Sequence, residues 1–559
     1  MVSAPPGQGQ PLRLHNLRSS LFSWKVEAAA ALFAIVLYLP AVSFPLLFDD
    51  HALIDASGRP LALGGGFPYR PVRYASYWID SALGGSATVY HAHNVLLFAV
   101  LIALVVVLAR RLGATPKAAL LGSLMVAAHP LAVEAVAYVA GRRDLLSAVF
   151  GLGAMLAWID AKRPLALLLL LCGAGSKENA LLLAPGMMLA SASGVATRRS
   201  GDLRLLMFGA LAAIALAIAY GAVGPWMPAP DLAGIALPGR VLVHYVDHLL
   251  RPMLLAGAHL SAEYPDLGLF VERVRGGESA AMPLAALSLV LTVTLVAATM
   301  TAIVRAVRSG PDAGIAACAS SFVAAWAAIA AAAVAIWGGL HEPGADRHAL
   351  VVLPVLGIAV ALVLTRLRGK LRPPLLVLSG MTVLALAAAT VRQTQTWSSE
   401  RTLWSNALAM QPDAPRARLN LAGLLAQEGR YDEAAWHLGE LLHRQPEFAD
   451  AWLGRAVVRC AQRKPGAARR NLSRAQALGA ASSAVEGIGR DCPLPEFANP
   501  LTAADKDAPS QLSPAVVAAD VAAVRAAAAT PAIAMPPADA ATGPVAPSPV
   551  KGSGERAKI

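Results

Sequence analysis

The chain has 559 residues, 56% hydrophobic and only 15% charged, with a mean hydropathy of +0.55. Soluble domains carry roughly 25% charged residues and disordered chains are poor in apolar ones, so neither class fits. A polytopic membrane protein fits if the apolar residues fall in runs of about 20. The formal net charge of +12 invites a nucleic-acid reading. Lys and Arg also collect beside membrane spans for topological reasons, so their positions decide.

Apolar runs predict eleven spans, at about 26–46, 92–109, 118–139, 145–160, 164–176, 179–194, 205–224, 281–304, 315–338, 349–365 and 374–391. The first follows the basic residues Arg13, Arg18 and Lys25 in segment 1–25, and is too long for a cleaved signal sequence, so it reads as an anchor. With a cytoplasmic N-terminus, alternate loops receive Arg110, Arg111 and Lys117; Lys162 and Arg163; Arg198, Arg199 and Arg204; Arg305 and Arg308; and Arg366, Arg368, Lys370 and Arg372. Every one of these becomes cytoplasmic, as the positive-inside rule requires. Topology thus absorbs the excess charge, and nucleic acid is not an expected partner.

The outer face receives two long loops. In the first, Val72, Ala75, Ile79 and Leu83 recur at helical spacing beside Tyr74, Tyr77 and Trp78, predicting a helix in the membrane interface. In the second, Val241–Leu255 carries His244, Asp247, His248 and Arg251, too many polar groups for lipid exposure. Of the four cysteines, Cys172, Cys318, Cys460 and Cys492, the last two could pair outside the cytoplasm or stay as thiols.

After the last span, Pro412 and Pro446 lie 34 residues apart in matching contexts. Units 415–448 and 449–482 align Ala422 with Ala456, Ala434 with Ala468 and Leu438 with Leu472, the tetratricopeptide pattern of paired helices meeting at small residues. The expected layout is a transmembrane domain over 26–396, a repeat domain over 397–482 and an Ala/Pro-rich, mostly disordered tail over 483–559.

Ionisable residues cluster toward the outer face: Asp49-Asp50-His51, His129 and Glu134, Arg142-Arg143-Asp144, Lys177-Glu178, and His341-Glu342 with Asp346-Arg347-His348. Carboxylates beside Arg and Lys suit general-base work, divalent-metal binding or recognition of a phosphorylated ligand. Each group has a plainer reading: a solvated loop for Asp49-Asp50, a snorkelling pair for Arg142-Arg143, a hairpin cap for Lys177-Glu178 and a packing histidine for His129. Glu134 resists such a reading, because a carboxylate within a span needs a partner.

The ordered run FDDH, RPVRYASYWIDSALGG, YHAHN, LARRLG, HPLAVEAVAYVAGRRDLLS and SKENALLLAP, with HLSAEYP, ADRHALVVLP and the Trp397–Trp404 junction, resembles bacterial relatives of the transmembrane and tetratricopeptide-repeat O-mannosyltransferases. The resemblance spans about 26–482. It implies an all-α GT-C glycosyltransferase that moves a sugar, mannose or another hexose, from a polyprenyl-phosphate carrier to Ser or Thr hydroxyls of exported proteins. It further implies that the family's acidic pair falls on Asp49 and Asp50, and its second acidic position on Asp144. Its His-Pro and Glu fall on His129, Pro130 and Glu134, and its Lys-Glu on Lys177 and Glu178. The usual Tyr after the acidic residue and Arg is replaced by His348, leaving Arg347 in place.

The expected base is therefore Asp49 or Asp50, with Glu134 next. Arg142, Arg143, Lys177 and Arg347 are expected to hold the lipid phosphate, with His129 and Glu178 in the binding set. Asp49, Asp50 and Asp144 are the alternative as ligands for Mg²⁺ or Mn²⁺. The site is a bacterial inner membrane, with membrane lipid around the spans and periplasmic repeats engaging acceptor proteins. A membrane-anchored repeat scaffold and a secondary transporter are the competing classes.

Overall fold

The computed structural model describes residues 24–61, 70–197, 199, 201–202, 204, 232–254, 282–308, 315–340 and 345–491. The expected span at 205–224, the cysteine at 492, the pair His341-Glu342 and the stretch HLSAEYP lie outside them. The described residues are helical, and their only β pairing is an isolated bridge between Ile54 and Pro60.

In chain order the main helices are α1 (Trp24–Tyr38), α2 (Pro71–Ala82), α3 (Ala87–Arg111), α4 (Pro116–Ala127), α5 (Arg142–Ile159), α6 (Arg163–Ser176) and α7 (Leu183–Ala192). There follow α8 (Leu232–Leu254), α9 (Met282–Arg308), α10 (Ile315–Leu340), α11 (Leu353–Arg366) and α12 (Arg372–Thr396). The C-terminal set is α13 (Glu400–Met410), α14 (Pro415–Gln427), α15 (Tyr431–Arg444), α16 (Ala449–Ala461), α17 (Pro465–Ala477) and α18 (Ser482–Asp491).

Among the described residues four segments are long and apolar enough to cross a membrane: Trp24–Ser43, α3, α9 and α12. A fifth arises if α4 and Pro130–Ala137 count as one bent span. The case for lipid is clearest at α9, where only 6% of the apolar window is buried by protein. Val290, Val293 and Val296 would face water without a bilayer. Among the described residues α6 and α11 are shorter apolar helices, while α10 runs for 26 residues.

The run at 118–139 is not one helix. It breaks at His129-Pro130 and bends by 59°. Proline lacks an N–H and pushes its predecessor out of helical geometry, and His129 is extended (φ −81°, ψ 127°). Its Nδ1 then accepts from the Leu131 N–H at 3.2 Å and starts a new turn. Glu134 consequently sits on a short helix, Val133–Ala137, rather than inside a continuous span.

α1 packs on α3, α4 on α11 and α5 on α6. The α4–α11 crossing needs glycine on both helices, since a Cβ on Gly122 or Gly357 would strike the other's carbonyl oxygen. Four of the five basic loops gather at one end of this bundle. Arg110 pairs with Glu27 at 2.9 Å, Arg111 with Asp160, and Arg163 with Asp202 at 2.8 Å, while the Thr115 N–H donates to Thr365 Oγ1 at 3.0 Å.

At the opposite end, α2 is inverted relative to a soluble helix. It buries Arg73, Ser76, Tyr77 and Asp80 and exposes Ala75, Trp78 and Ile79. Polar residues toward protein and an aromatic, apolar face outward suit the membrane interface.

From α13 to α18 each helix packs on the next. The two 34-residue units of the sequence fall on the pairs α14–α15 and α16–α17. Ala422, Ala434, Ala456 and Ala468 are all fully buried. Residues 483–491, expected in the tail, belong to α18, which packs against α17; 492–559 lie outside the described residues.

Candidate active site

The acidic pair lies on a tight turn after the 3₁₀ segment Leu39–Ser43. Phe48 takes a left-handed conformation (φ 45°), uncommon for a side chain of that bulk and in need of outside support. Support comes from the C-terminal helices: the Phe48 N–H donates to Glu400 Oε1 at 2.9 Å, and its ring meets Trp404 edge-on at 5.1 Å. The α13 helix therefore abuts the acidic loop directly.

The two aspartates have opposite surroundings. Asp50 is fully buried, and its oxygens accept from the Ala140 N–H at 2.7 Å and the Leu47 N–H at 3.0 Å. Asp49 is partly exposed, and its carboxylate accepts no hydrogen bond from the described residues. Its N–H donates to Tyr138 Oη at 3.2 Å.

Burial outweighs these backbone hydrogen bonds and, with Asp49's charge adding, raises Asp50 to about 7 from 3.8. The neutral form is thus favoured in the fold. Its stabilisation is complete below about pH 3.8 and is lost as pH rises to about 7. In Asp50→Asn an NH₂ would confront a backbone N–H, costing about 1–3 kcal/mol. The variant should have a lower Tm at every pH and lose the decline across that window. Thermal unfolding in detergent at stepped pH measures it; an undiminished slope would assign the titration to another group.

Lys177 and Glu178 follow α6, and Arg143 and Asp144 open α5. Lys177 Nζ donates to Asp144 Oδ1 at 2.5 Å, with Arg143 Nε and Arg347 Nε at 3.6 and 3.9 Å from Asp144 Oδ2. Arg347, on the 3₁₀ turn Asp346–Val351, donates its N–H to Glu134 Oε2 at 3.0 Å and its Nη1 to Glu134 Oε1. Arg70 grips Glu178 at 3.0 Å. Burial, opposed by Asp144 and reinforced by Arg143, Arg347 and Arg70, brings Lys177 down to about 7. Burial acts to raise Glu178, but Arg70 and Lys177 hold it below its ordinary value.

The cluster thus has five cations, Arg70, Arg73, Arg143, Lys177 and Arg347, around three carboxylates, Glu134, Asp144 and Glu178. Arg73 is 1% exposed, and its Nε and Nη2 have no hydrogen-bond partner among the described residues. A buried guanidinium left this way is strongly disfavoured unless an anion completes it.

Arg70 and Arg73 do not figure among the sequence-derived candidates, although their i, i+3 spacing on RPVR was readable. Arg142, which does, is committed elsewhere. Its Nε donates to Asn94 Oδ1 at 2.8 Å, Nη2 to the Tyr90 carbonyl at 2.7 Å and Nη1 to Asp80. These bonds tie α5 to α2 and α3 and leave the guanidinium fully buried in protein. His129 is also engaged within protein, its Nε2 lying 3.1 Å from the Leu249 carbonyl.

Asp49, Asp50 and Asp144 do not converge as a metal-ligand set. Among the described residues, the group with ligand atoms within 4.8 Å of one another is His244, His248 and Asp346. Tyr138 lies between the two halves of the site. Burial and the charges on Asp50 and Asp49 push its phenol well above the usual value, opposed by Arg347 and Arg143. It stays protonated, in electrostatic contact with both the acidic pair and the cations.

Two curated proteins of Drosophila melanogaster are similar to part of the chain. Protein O-mannosyl-transferase Tmtc1 is 32% identical over 151 residues, covering 23% of this chain and 18% of that protein. Protein O-mannosyl-transferase Tmtc2 is 34% identical over 137 residues, covering 21% and 15%. The chain thus spans less than a fifth of the length of either relative. No protein-family model and no solved structure matches it. The similarity relates the chain loosely to those transferases and supports a glycosyltransferase-like membrane protein.

Proposed function

We propose that the chain is a GT-C-type glycosyltransferase that moves a sugar, mannose or another hexose, from polyprenyl phosphate to Ser or Thr hydroxyls of exported proteins. The reading rests on one juxtaposition: Tyr138 touches Asp49 and lies within electrostatic reach of Arg143 and Arg347. A base and a surplus of phosphate-binding cations therefore flank one point.

In the proposed step the acceptor oxygen attacks the anomeric carbon, the bond from that carbon to the phosphate oxygen breaks, and configuration inverts. Asp49 takes the hydroxyl proton. The departing phosphate carries its negative charge to Arg73, Arg143, Lys177 and Arg347, as charge-assisted acceptors do. Asp50 holds the turn that presents Asp49.

On this reading the remaining apolar helices complete an eleven-span fold in the bacterial inner membrane, with a cytoplasmic N-terminus. The stack α14–α17 is a periplasmic tetratricopeptide module that engages acceptor proteins, and the approach of Arg416 of α14 to the Phe48 ring, 5.7 Å from its centroid, brings a bound acceptor close to the base.

The test is purified protein with a polyprenyl-phosphate hexose and a Ser/Thr peptide, read by mass spectrometry. Hexosyl transfer is expected. Silence with every common polyprenyl-phosphate hexose would favour the scaffold reading. The same assay with EDTA, then with Mg²⁺ or Mn²⁺ restored, decides whether a divalent ion joins Asp49.

A further inference from the structure

His244 and His248 lie one turn apart on α8, on its inward side, and are 8% and 5% exposed. Asp247 and Arg251 of the same helix form a partly exposed i, i+4 pair on the other side. A spacing of four residues stacks two imidazoles on one face, and the rings lie 4.1 Å apart. Opposite them stands Asp346, 4% exposed, with Oδ1 3.0 Å from His248 Nδ1. The three ligand atoms lie within 4.8 Å of one another.

We propose that His244, His248 and Asp346 bind a zinc ion that ties α8 to the turn Asp346–Val351. Two imidazoles and a carboxylate suit zinc far better than Mg²⁺ or Ca²⁺, which prefer all-oxygen shells. Zn–N bonds of about 2.0–2.1 Å in a tetrahedral site put neighbouring ligand atoms about 3.3 Å apart. Ligand atoms within 4.8 Å of one another need to draw in by no more than about 1.5 Å to reach that spacing, and water can take the fourth position. Tyr245 fixes the same two elements, its Oη donating to the Ala345 carbonyl at 2.8 Å.

The consequence reaches the candidate active site. Asp346 precedes Arg347, whose N–H and guanidinium hold Glu134. An ion on Asp346 would anchor the turn that carries this arginine. That consequence rests on the proposed function; metal binding itself does not.

The experiment uses the full chain in detergent. Dialysis against Zn²⁺ and elemental analysis should give about one zinc per chain. Reconstitution of chelator-treated protein with Co²⁺ should give visible bands of a low-symmetry four- or five-coordinate ion, and Zn²⁺ should raise Tm. Asp346→Asn and His248→Gln should reduce zinc content and Co²⁺ absorption at least tenfold. Wild-type protein that holds no zinc above a buffer control and gives only the pale octahedral Co²⁺ spectrum overturns the site, whatever the variants do. Equal zinc content in folded Asp346→Asn, His248→Gln and wild type would overturn it too. Sugar transfer without zinc would leave the proposed function standing and remove only the link to Arg347.

Discussion

Asp49→Asn is expected to lower sugar transfer by about 10²-fold or more, the scale of losing a general base, with little change in Tm. The carboxylate accepts no hydrogen bond from the described residues, and its backbone N–H to Tyr138 survives the substitution. A partly exposed side chain with no such partner usually changes stability by less than about 0.5 kcal/mol when replaced isosterically. Asp50→Asn should behave oppositely, losing stability first because two backbone N–H groups depend on it. The comparison therefore separates chemistry from architecture between adjacent residues. It is read as initial rates at saturating donor, beside melting curves of both variants. A folded Asp49→Asn enzyme turning over at the parental rate would end the base assignment.

Much of this arrangement is legible in the sequence where a local rule acts. The break at His129-Pro130 follows from proline's missing N–H, although its 59° bend depends on what α4 and the following turn pack against. The four buried alanines of α14–α17 are visible because a 34-residue period repeats them. Arg142 and Arg143 are different. Neighbours on a helix point about 100° apart, so one entered the protein interior and the other turned to Asp144, and no pattern in Gly-Arg-Arg-Asp distinguishes them. Arg73 escaped because the spacing of Val72, Ala75, Ile79 and Leu83 draws attention to the apolar face of α2, whereas the functional candidates lie on the polar one. The two histidines of α8 were readable as a pair, but Asp346 reaches His248 from 98 positions away in the chain. Tertiary packing alone supplies that ligand.

Arg347→Met should cost about 3–5 kcal/mol of stability, because it leaves Glu134 buried without its counter-charge. Asp144 would lose a neighbouring cation but keep Lys177. Lost activity in this variant would thus be ambiguous between unfolding and loss of a phosphate ligand. The double variant Arg347→Met with Glu134→Gln resolves it, since the neutral amide no longer needs a guanidinium. Melting temperature should recover by more than half in the double variant. If Arg347 also meets the lipid phosphate, transfer should stay depressed at least tenfold and KM for the polyprenyl-phosphate donor should rise. Glu134→Gln alone should retain more activity than either, because Arg347 is still present to meet the donor. Recovery of both Tm and turnover in the double variant would reduce Arg347 to a structural counter-ion, leaving Arg73, Arg143 and Lys177 to hold the phosphate.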